Sequence, residues 1–361
     1  MSVDVRHHGS VIKYLGSKRR LVPVLTELFV RSGARSALDL FTGTTRVAQA
    51  FKAAGGHVTA VDSARYSHVF ARTWIETDAD AVDHDALAEA IEELNALPGE
   101  PGYFTETFCV QSRFFQPHNG ERIDVMREAI ARDHAGTMLE PILLTSLLLA
   151  ADRVDSTTGV QMAYVKTWAA RSFKSIRLEP PKLLPGSGTA LRGDATGLAG
   201  SVGHVDLAYL DPPYNQHRYF TNYHVWETLV AWDRPDHYGV ACKRLDSRDD
   251  DTKSVFNRKR EMPDALRRTI DEVDADVVIV SYNDEAWITL DELRDMSAVR
   301  GEVTALAFDS RRYVGALIGI HNPDGERVGT VSHTRNQEYV VIAGDAAAVR
   351  RMTEPFSAVL V

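Results

Sequence analysis

The chain contains few cysteines and no long apolar run. Among its 361 residues only Cys109 and Cys242 are cysteines, and neither belongs to a CxxC pair or a Cys/His cluster. This pattern excludes the usual zinc modules and predicts two reduced thiols and no metal site. The longest apolar run, at 141–151, is too short to span a bilayer, and no apolar stretch follows a basic start at the N-terminus. These absences predict a cytoplasmic protein with no membrane partner.

Charge is spread unevenly along the chain. The formal net charge of -9 argues against extensive binding of phosphates, which requires Lys and Arg. However, residues 1–35 hold seven Lys/Arg against two Asp/Glu, and residues 161–192 hold six against one. Such basic segments suit either a groove that follows a nucleic-acid backbone or solvated helix faces, and charge alone leaves both alternatives open.

The order of apolar segments is typical of an α/β protein. Residues 37–62 give a short apolar strand, a Gly-containing turn, an amphipathic helix, a Gly-Gly stop and a second strand. Apolar runs return at 204–214, 275–284 and 337–344, and each is consistent with a buried strand. This alternation predicts a doubly wound α/β sheet.

The middle of the chain has a different pattern. Residues 75–150 alternate apolar and charged positions at helical spacing, so we expect a mainly helical insertion between the early and late strands. This predicts a main domain formed by 1–75 and 185–361 and an inserted domain at 76–184. The polar, charged segment 233–262 predicts a disordered loop, or a mobile loop that orders on a partner.

The string YLDPPY, at 209–214, follows an apolar strand and therefore lies where open α/β sheets bind ligands. Its two prolines hold the carbonyls of Asp211 and Pro212 rigidly as acceptors, beside the Asp211 carboxylate. Such acceptors suit a conjugated amine such as that of adenine, and Tyr214 suits stacking on a base that has left the duplex. A rigid Pro-Pro turn beside a buried tyrosine explains the same four residues.

Two further motifs suit a cofactor that contains adenosine. In DLFTGTT, at 39–45, Gly43 occupies the turn of the βα unit, where the backbone can approach a ligand closely. Asp62 ends the next strand, near the spacing at which an acid binds ribose hydroxyls. In KYLGSK, Lys18 is suited to pair with a carboxylate of the cofactor, and the Tyr14 ring is suited to form a wall beside the cofactor. Ordinary strand–turn–helix packing and an exposed helix start explain the same residues, and the absence of G-x-G-x-x-G disfavours a dinucleotide.

In order along the chain, these motifs resemble those of the N6-adenine-specific DNA methyltransferases, including the enzymes of restriction-modification systems. The resemblance rests on KYLGSK, DLFTGTT, VD at 61–62, GDA at 193–195 and LDPPY, with flanking similarity at 215–230, 280–284 and 336–341. It implies a Rossmann-like methyltransferase fold, S-adenosyl-L-methionine as cofactor, and double-stranded DNA with a flipped adenine as substrate. It also implies a possible cognate restriction nuclease as partner.

The resemblance assigns roles to two groups of residues. The residues implied to act on the target adenine are Asp211, Pro212, Pro213 and Tyr214. The residues implied to bind the cofactor are Tyr14, Lys18, Asp39, Phe41, Gly43, Asp62 and, near its adenine ring, Asp194. Asn283, after a predicted strand, is either part of the base pocket or a turn-stabilising residue. Ser17 and Thr45 stand where the family usually has glycine, and a threonine fits there if its φ is negative.

In the family, the region between the cofactor motifs and the catalytic strand often recognises the target, and 76–184 has that position. Its candidates for contact with DNA are Arg113, Phe114, His118, Asn119, Arg122, Arg171, Lys174 and Arg177. For the aromatic residues of this region, Phe114, Phe115 and Trp168, a place in the core is the alternative. Just after the tetrapeptide, Tyr219, Phe220 and Tyr223 are candidates to close on a flipped base.

The expected reaction is direct transfer of a methyl group from a sulfonium to the N6 amine, without a covalent intermediate. This agrees with the lack of a Pro-Cys nucleophile beside the cofactor motifs. Three alternatives stay open from the sequence: methylation of RNA adenine, methylation of cytosine N4, and a non-catalytic, cofactor-sensing DNA-binding module.

Overall fold

The computed structural model describes residues 11–162, 164, 167–214, 216, 218–311, 320–321, 327–329 and 335–361. Residues 1–10, 215 and 217, which belong to segments discussed above, lie outside this part of the chain. The chain forms two compact units. The first unit contains Met1–Thr26, Phe41–Ala195 and His217–Ser254, and the second contains Glu27–Leu40, Thr196–Gln216 and Val255–Val361.

The described strands are β1 (Ser36–Asp39), β2 (His57–Asp62), β3 (Thr189–Arg192), β4 (Val205–Leu210), β5 (His237–Tyr238), β6 (Lys243–Arg244), β7 (Ala275–Asn283), β8 (Glu302–Arg311), β9 (Ile320–His321), β10 (Arg327–Gly329) and β11 (Arg335–Gly344). The described helices are α1 (Val22–Ser32), α2 (Arg46–Ala53), α3 (Arg65–Ala71), α4 (His84–Ala96), α5 (Tyr103–Thr105), α6 (Pro117–Asp133), α7 (Leu139–Val154), α8 (Ala195–Leu198), α9 (Tyr219–Asn222), α10 (His224–Ala231), α11 (Met262–Glu272), α12 (Leu290–Ser297) and α13 (Ala346–Thr353). Short π-helical segments extend α3 (Arg72–Glu76) and α5 (Glu106–Gln111).

Seven strands form the mixed central sheet. Five of them lie in the second unit in the order β1, β4, β7, β11 and β8, where β1, β4 and β7 are parallel and β11 is antiparallel to both of its neighbours. The other two, β2 and β3, pair in parallel in the first unit. The strands predicted at 204–214, 275–284 and 337–344 are β4, β7 and β11, and the α/β expectation is confirmed.

Strands β4 and β7 show why the sheet forms from this sequence. In β7, every residue from Val277 to Asn283 is buried, as expected for a strand that is covered on both faces. Strand β4 has the same character, with Leu207 to Leu210 buried. Both strands are therefore buried up to their last residue, which gives the polar residues that follow them a rigid support.

The first unit contains the helical stretch predicted for 75–150, which is confirmed by α4, α6 and α7. The apolar run at 141–151 is the buried body of α7, where every residue from Pro141 to Asp152 is buried. A helix that is apolar on all sides is stable only when protein surrounds it. Among the described residues, no helix combines the length and hydropathy that crossing a membrane requires.

Short helix α5 depends on a buried carboxylate from α6. Asp124 accepts hydrogen bonds from the amides of Gly102 at 2.9 Å, Phe104 at 2.9 Å and Thr105 at 2.8 Å, and from the Thr105 hydroxyl at 2.7 Å. These amides are the unpaired donors at a helix N-terminus. A Cβ on Gly102 would lie 2.7 Å from Asp124 Oδ1, so this position requires glycine. Asp124 thus holds the start of α5 against α6.

Both cysteines are buried free thiols, which confirms their predicted reduced state. Burial raises the pKa of the Cys109 thiol. The Cys109 sulfur lies against α6, where a Cβ on Gly120 would lie only 2.3 Å from Sγ. Cys109 therefore acts as a small apolar side chain in the packing of the first unit.

For the segment 233–262 a disordered loop was one of two expectations, and that expectation is wrong because the segment has defined structure. Strands β5 and β6 pair there as an antiparallel hairpin. Arg244, whose side chain is 5% exposed, binds Asp233 at 2.7 Å and Asp246 at 2.6 Å. The charges that indicated a solvated loop therefore neutralise one another around a buried guanidinium.

Candidate active site

In the first unit, the turn after β1 and the end of β2 are joined by a carboxylate. Asp62 Oδ2 accepts a hydrogen bond from the Gly43 amide at 2.8 Å, and Oδ1 accepts one from Ala64 at 2.9 Å. Burial raises the pKa of Asp62, and the backbone donors oppose that shift. Gly43 and Asp62, which sequence reasoning singled out separately, are therefore in direct contact.

Tyr14 lies over the same turn. A Cβ on Gly43 would lie 3.2 Å from Tyr14 Cε1 and 3.3 Å from its hydroxyl. The backbone at Gly43 also has a φ of 50°, a left-handed conformation that favours glycine. The structure thus brings three predicted cofactor residues, Tyr14, Gly43 and Asp62, together at one place in the first unit.

Three further tyrosines support the Tyr14 ring, and sequence reasoning did not identify this stack. Tyr223 stacks on Tyr14 at 4.8 Å between ring centroids, Tyr219 stacks on it at 5.3 Å, and Tyr66 meets it edge-on at 6.4 Å. The Leu15 amide donates to the Tyr223 hydroxyl at 2.7 Å. Tyr223 is fully buried, so it holds Tyr14 in place and is not exposed to close on a flipped base.

Glu227, on α10, is a second residue that sequence reasoning missed. Its side chain is 1% exposed, and Oε1 accepts a hydrogen bond from the amide of Arg65, the first residue of α3, at 2.7 Å. The first amides of a helix have no partner within the helix, and this bond satisfies one of them. Glu227 thereby fixes the start of the helix that follows Asp62. The available signal was an acid inside the otherwise apolar string HVWETLV.

The titration of Glu227 predicts that the stability of the folded chain depends on pH. Burial raises its pKa from 4.5 to about 7, although hydrogen bonds from Arg65 and Tyr66 oppose the shift. Between these two values the folded chain holds more protons than the unfolded chain, so this group's contribution to stability is present below pH 4.5 and is lost as pH rises through 7. Gln does not titrate, so the free energy of unfolding of Glu227→Gln lacks this pH dependence. We therefore expect its free energy of unfolding, relative to that of the native chain, to increase by about 2 kcal/mol from pH 5 to pH 8.

Urea unfolding at the two pH values measures this difference. Glu128→Gln is the matched control, because Glu128 is half exposed and hydrogen bonds to Trp232 and Arg234 lower its pKa. Its stability relative to the native chain should be the same at both pH values. If the difference in stability between Glu227→Gln and the native chain were also the same at both pH values, the predicted titration of Glu227 would be contradicted.

Gly43→Ala tests the turn as a cofactor site. The new methyl would crowd the Tyr14 ring, and overpacking of this kind costs roughly 1–3 kcal/mol. We expect the affinity for S-adenosyl-L-methionine, measured by calorimetry, to fall about tenfold or more. The control is Gly136→Ala, since Gly136 has a φ of 74° and no atom within 4 Å of its Cβ position. If the two variants bound the cofactor with equal affinity, the assignment of the Gly43 turn to the cofactor would be contradicted.

The two positions that lack the family's glycines differ from each other. Ser17 has a φ of -55°, so serine is tolerated there. Thr45 has a φ of 60°, so the condition under which threonine fits this position without strain, a negative φ, is not met. A left-handed conformation costs a branched residue about 1–2 kcal/mol. The buried Thr45 hydroxyl offsets part of this cost, since it donates to the Thr44 carbonyl at 2.7 Å and accepts from Gln49 at 2.9 Å.

The other predicted cofactor residues have different surroundings. In the first unit, Lys18 is buried, Phe41 is half-buried and Asp194 is exposed. The Gly193 amide, next to Asp194, donates to the Asp62 carbonyl at 3.0 Å, which places the GDA motif beside the end of β2. Asp39 is buried at the end of β1 in the second unit.

In the second unit, the tetrapeptide Asp211–Tyr214 directly follows β4, as predicted. The preceding Tyr209 is buried, and its hydroxyl lies 2.8 Å from Ser281 Oγ on β7. Burial, followed by the negative charges of Asp211 and Asp39, raises the pKa of Tyr209. Asp39 lies opposite Tyr209 in the register of β1 and β4. The structure therefore places Asp39 beside the strand that carries the tetrapeptide.

The tetrapeptide itself is partly accessible. Pro212 is buried, whereas Asp211, Pro213 and Tyr214 are half-buried. Tyr282, on β7, meets the Tyr214 ring edge-on at 5.9 Å between centroids. This contact holds the Tyr214 ring from one edge.

Asn283 ends β7 and stabilises the turn that follows. Its Oδ1 accepts a hydrogen bond from the Glu285 amide at 2.8 Å, while the Asn336 side chain donates to Glu285 at 2.7 Å. The turn-stabilising role is therefore observed.

In the helical stretch, the structure separates packing residues from accessible ones. Phe114 and Phe115 are buried, which confirms the core interpretation, and Trp168 lies beneath the Arg113 guanidinium at 4.7 Å. Asn119 is also fully buried, and its hydrogen bonds within the described part of the chain all join backbone groups, so the expectation that it faces DNA is wrong. Arg122 donates to the Asn95 carbonyl at 2.8 Å, and His118 is exposed.

Comparison with known proteins identifies the family. The model of the D12 class of N6 adenine-specific DNA methyltransferases matches residues 14–296, which is most of the chain. The chain belongs to this family. The motif order and the α/β sheet are those that the resemblance led us to expect, and that resemblance is confirmed.

Several curated relatives match over much of the chain. The chain is 28% identical to the type II methyltransferase M.NlaIII of Neisseria lactamica, over 84% of the chain and 92% of the relative. It is 26% identical to M.FokI of Planomicrobium okeanokoites, over 80% of the chain and 47% of the relative. It therefore spans nearly all of the first relative and about half of the second. A solved precorrin-6y C5,15-methyltransferase from Geobacter metallireducens gives a TM-score of 0.31 at 9% identity, which supports no argument.

Family membership decides the reaction. The chain is a site-specific DNA methyltransferase that uses S-adenosyl-L-methionine and acts on the N6 amine of adenine. Because the family is specific for adenine in DNA, the expectations of an RNA acceptor, of cytosine N4 and of a non-catalytic module are set aside.

Proposed function

We propose that this enzyme methylates an adenine that is rotated out of duplex DNA, within one short recognition sequence, by direct transfer. The observation that carries the proposal is the rigid placement of Asp211 and Pro212 immediately after buried strand β4. Chemistry on a base requires that the base leave the stack, since its amine is unreachable inside the duplex. The partly accessible tetrapeptide suits such a base.

The adenine amine would be held by two acceptors. The Asp211 carboxylate and the Pro212 carbonyl each accept one amine hydrogen, which draws the nitrogen towards tetrahedral geometry and frees its lone pair. As the nitrogen gains positive charge during transfer, the carboxylate stabilises it, and the charge is lost when one amine proton is released to water. Pro213 keeps the backbone fixed, and the Tyr214 ring, supported by Tyr282 at 5.9 Å, stacks on the base.

The cofactor would lie against the turn in the first unit that contains Gly43. This turn is so close to Tyr14 that a Cβ on Gly43 would lie 3.2 Å from the Tyr14 ring. We assign Asp62 to the ribose hydroxyls, because it is the acid that ends β2 and its carboxylate lies directly at this turn. Tyr14 forms a ring wall and Lys18 binds the cofactor carboxylate. When bound, the cofactor supplies a sulfonium methyl as the electrophile. The remaining residues assigned to this site are Asp39, Phe41 and Asp194.

The wider setting of the enzyme follows from its substrate and relatives. We assign target recognition to 76–184, which separates the cofactor motifs from the catalytic strand. The similarity to type II methyltransferases supports a role as the modifying partner of a restriction nuclease. Because the substrate that we propose is cellular DNA, we assign the enzyme to the cytoplasm.

Sequencing of treated plasmid DNA tests site specificity. Unmethylated plasmid is incubated with the enzyme and cofactor, then read by a method that detects N6-methyladenine. We expect near-complete modification at one short sequence and none elsewhere. Modification scattered over unrelated adenines would contradict a site-specific enzyme.

Base rotation is tested separately on a duplex that carries this sequence. When 2-aminopurine replaces the target adenine, unstacking should raise its fluorescence several-fold on binding of the enzyme. The control places 2-aminopurine at a neighbouring adenine, where no rise is expected. Equal signals from both duplexes would contradict base flipping.

A further inference from the structure

One exposed apolar side chain in the first unit lies on a firmly held segment. The 170–175 segment (residues 170 to 175, ARSFKS) begins as a short 3-10 helix, Ala170–Phe173. Phe173 is 63% exposed, whereas its neighbour Ser172 is fully buried. Lys174 is exposed as well. An aromatic ring and a cation thus project side by side from a backbone that is itself packed against the unit.

Asn119 fixes the backbone of this segment from beneath. Its amide nitrogen donates to the carbonyls of Ser172 at 3.2 Å and Lys174 at 2.9 Å, and its oxygen accepts from the Ile176 amide at 2.8 Å. These three bonds come from a side chain that is fully buried on α6. The carbonyls on either side of Phe173 are therefore both bound, and the ring projects from a backbone that is held in place.

Arg171 fixes the segment at its start. Its guanidinium bonds Asp155 Oδ1 at 2.7 and 2.9 Å, and Asp155 also binds Lys13 at 3.1 Å. Arg171 is thereby committed to holding the segment. Arg177, a little further on, pairs with Glu92 at 2.8 Å. Of the three cations that sequence reasoning proposed here, Lys174 is the one whose charge the structure leaves exposed without an ion pair among the described residues.

The charge of the sequence stretch that contains this segment indicates what binds it. Residues 161–192 carry six Lys/Arg and one Asp/Glu, in a chain whose formal net charge is -9. A basic stretch on an acidic protein complements a polyanion. Exposed aromatic rings beside cations are the groups on which nucleic-acid bases and sugars pack. The substrate of this enzyme is a polyanion with such groups.

We propose that the 170–175 segment is a preformed DNA contact, in which Phe173 packs against a base or sugar of the substrate and Lys174 binds a backbone phosphate. This inference rests on the proposed function, since it assumes that duplex DNA is the substrate. Because Asn119 and Arg171 already fix the backbone, little ordering is required on binding. The segment lies in the region assigned to target recognition and gives it two named contacts.

The test compares Phe173→Ala and Lys174→Ala with the native enzyme on unmethylated plasmid DNA. Filter binding from 50 to 200 mM salt gives the affinity and its salt dependence, and steady-state methyl transfer gives kcat and KM for DNA. The matched controls are Met138→Ala for the exposed apolar side chain, 52% exposed, and Arg350→Ala for the exposed cation of α13. Thermal melting checks that each variant is folded.

We expect Phe173→Ala to weaken DNA binding about fivefold or more and to raise KM for DNA, with cofactor affinity unchanged. Lys174→Ala should lower the slope of log affinity against log salt by about 1. If the native enzyme methylates the plasmid and both variants have its DNA affinity, salt dependence and KM, this inference is overturned and the proposed function stands. A change in oligomeric state with native DNA binding would also overturn it, because the segment would then join copies of the chain. If the native enzyme neither bound nor methylated DNA, the proposed function itself would fail.

Discussion

Replacement of Asp211 by alanine is expected to reduce kcat for methyl transfer by roughly 100- to 1,000-fold or more, with the cofactor bound as tightly as by the native enzyme. The carboxylate is the charged acceptor that we assign to the target amine, and it follows a strand whose last four residues, Leu207 to Leu210, are buried. Its loss leaves the Pro212 carbonyl as a single neutral acceptor. Single-turnover transfer of labelled methyl measures the chemical step, and calorimetry measures cofactor affinity.

Two further variants sharpen this prediction. Asp211→Asn keeps one acceptor oxygen without the charge, so its rate should lie between those of the alanine variant and the native enzyme. Asp291→Ala removes a carboxylate whose side chain is 90% exposed in the same unit and should leave the rate unchanged. An Asp211→Ala enzyme that methylated DNA at the native rate would contradict the assigned chemistry.

Asp124→Ala is expected to cause the largest loss of stability, about 3–5 kcal/mol. The side chain accepts four hydrogen bonds, and at least the Phe104 and Thr105 donors would be left buried without a partner. The start of α5 would lose its anchor on α6. Urea unfolding, with the change in free energy taken from the shift of the transition, measures the effect.

Asp83→Ala is the matched control for this variant. Asp83 caps α4 through the amides of Asp85 and Ala86, but in an exposed position where water can replace the lost bonds. We expect Asp83→Ala to lower the free energy of unfolding by about 1 kcal/mol. Equal losses for the two variants would mean that burial adds nothing to the Asp124 cap.

The elements that sequence predicts best are those with a local pattern. The runs that became β4, β7 and β11 are nearly continuous in apolar residues, because central strands are covered on both faces. The places of Gly43 in a turn and of Asp62 at a strand end were also readable, since both lie within one βαβ unit, although their hydrogen bond was not predicted. In each case the signal and the contact lie within one stretch of chain.

Other features depend on contacts between distant segments and leave little trace in local sequence. Glu227 meets Arg65 across 162 residues, and Leu15 donates to Tyr223 across 208. Arg244 changes the character of a charged segment because it is buried between Asp233 and Asp246. Such pairings are decided by tertiary packing, which composition does not contain.

Thr45 shows a different limit. A positive φ is ordinarily indicated by glycine, and here a branched residue has a φ of 60°. Its hydroxyl bonds, to Thr44 and from Gln49, help to hold the turn in this form. The residue type at this position therefore gave no sign of the strained backbone beside the turn that we assign to the cofactor.

The central claim is tested most directly by transfer of labelled methyl from S-adenosyl-L-methionine to unmethylated double-stranded DNA, followed by nucleoside analysis. The account predicts that the label appears in N6-methyladenine and in no other nucleoside. Label in a cytosine derivative, or no label on DNA from an enzyme shown to bind the cofactor, would contradict it.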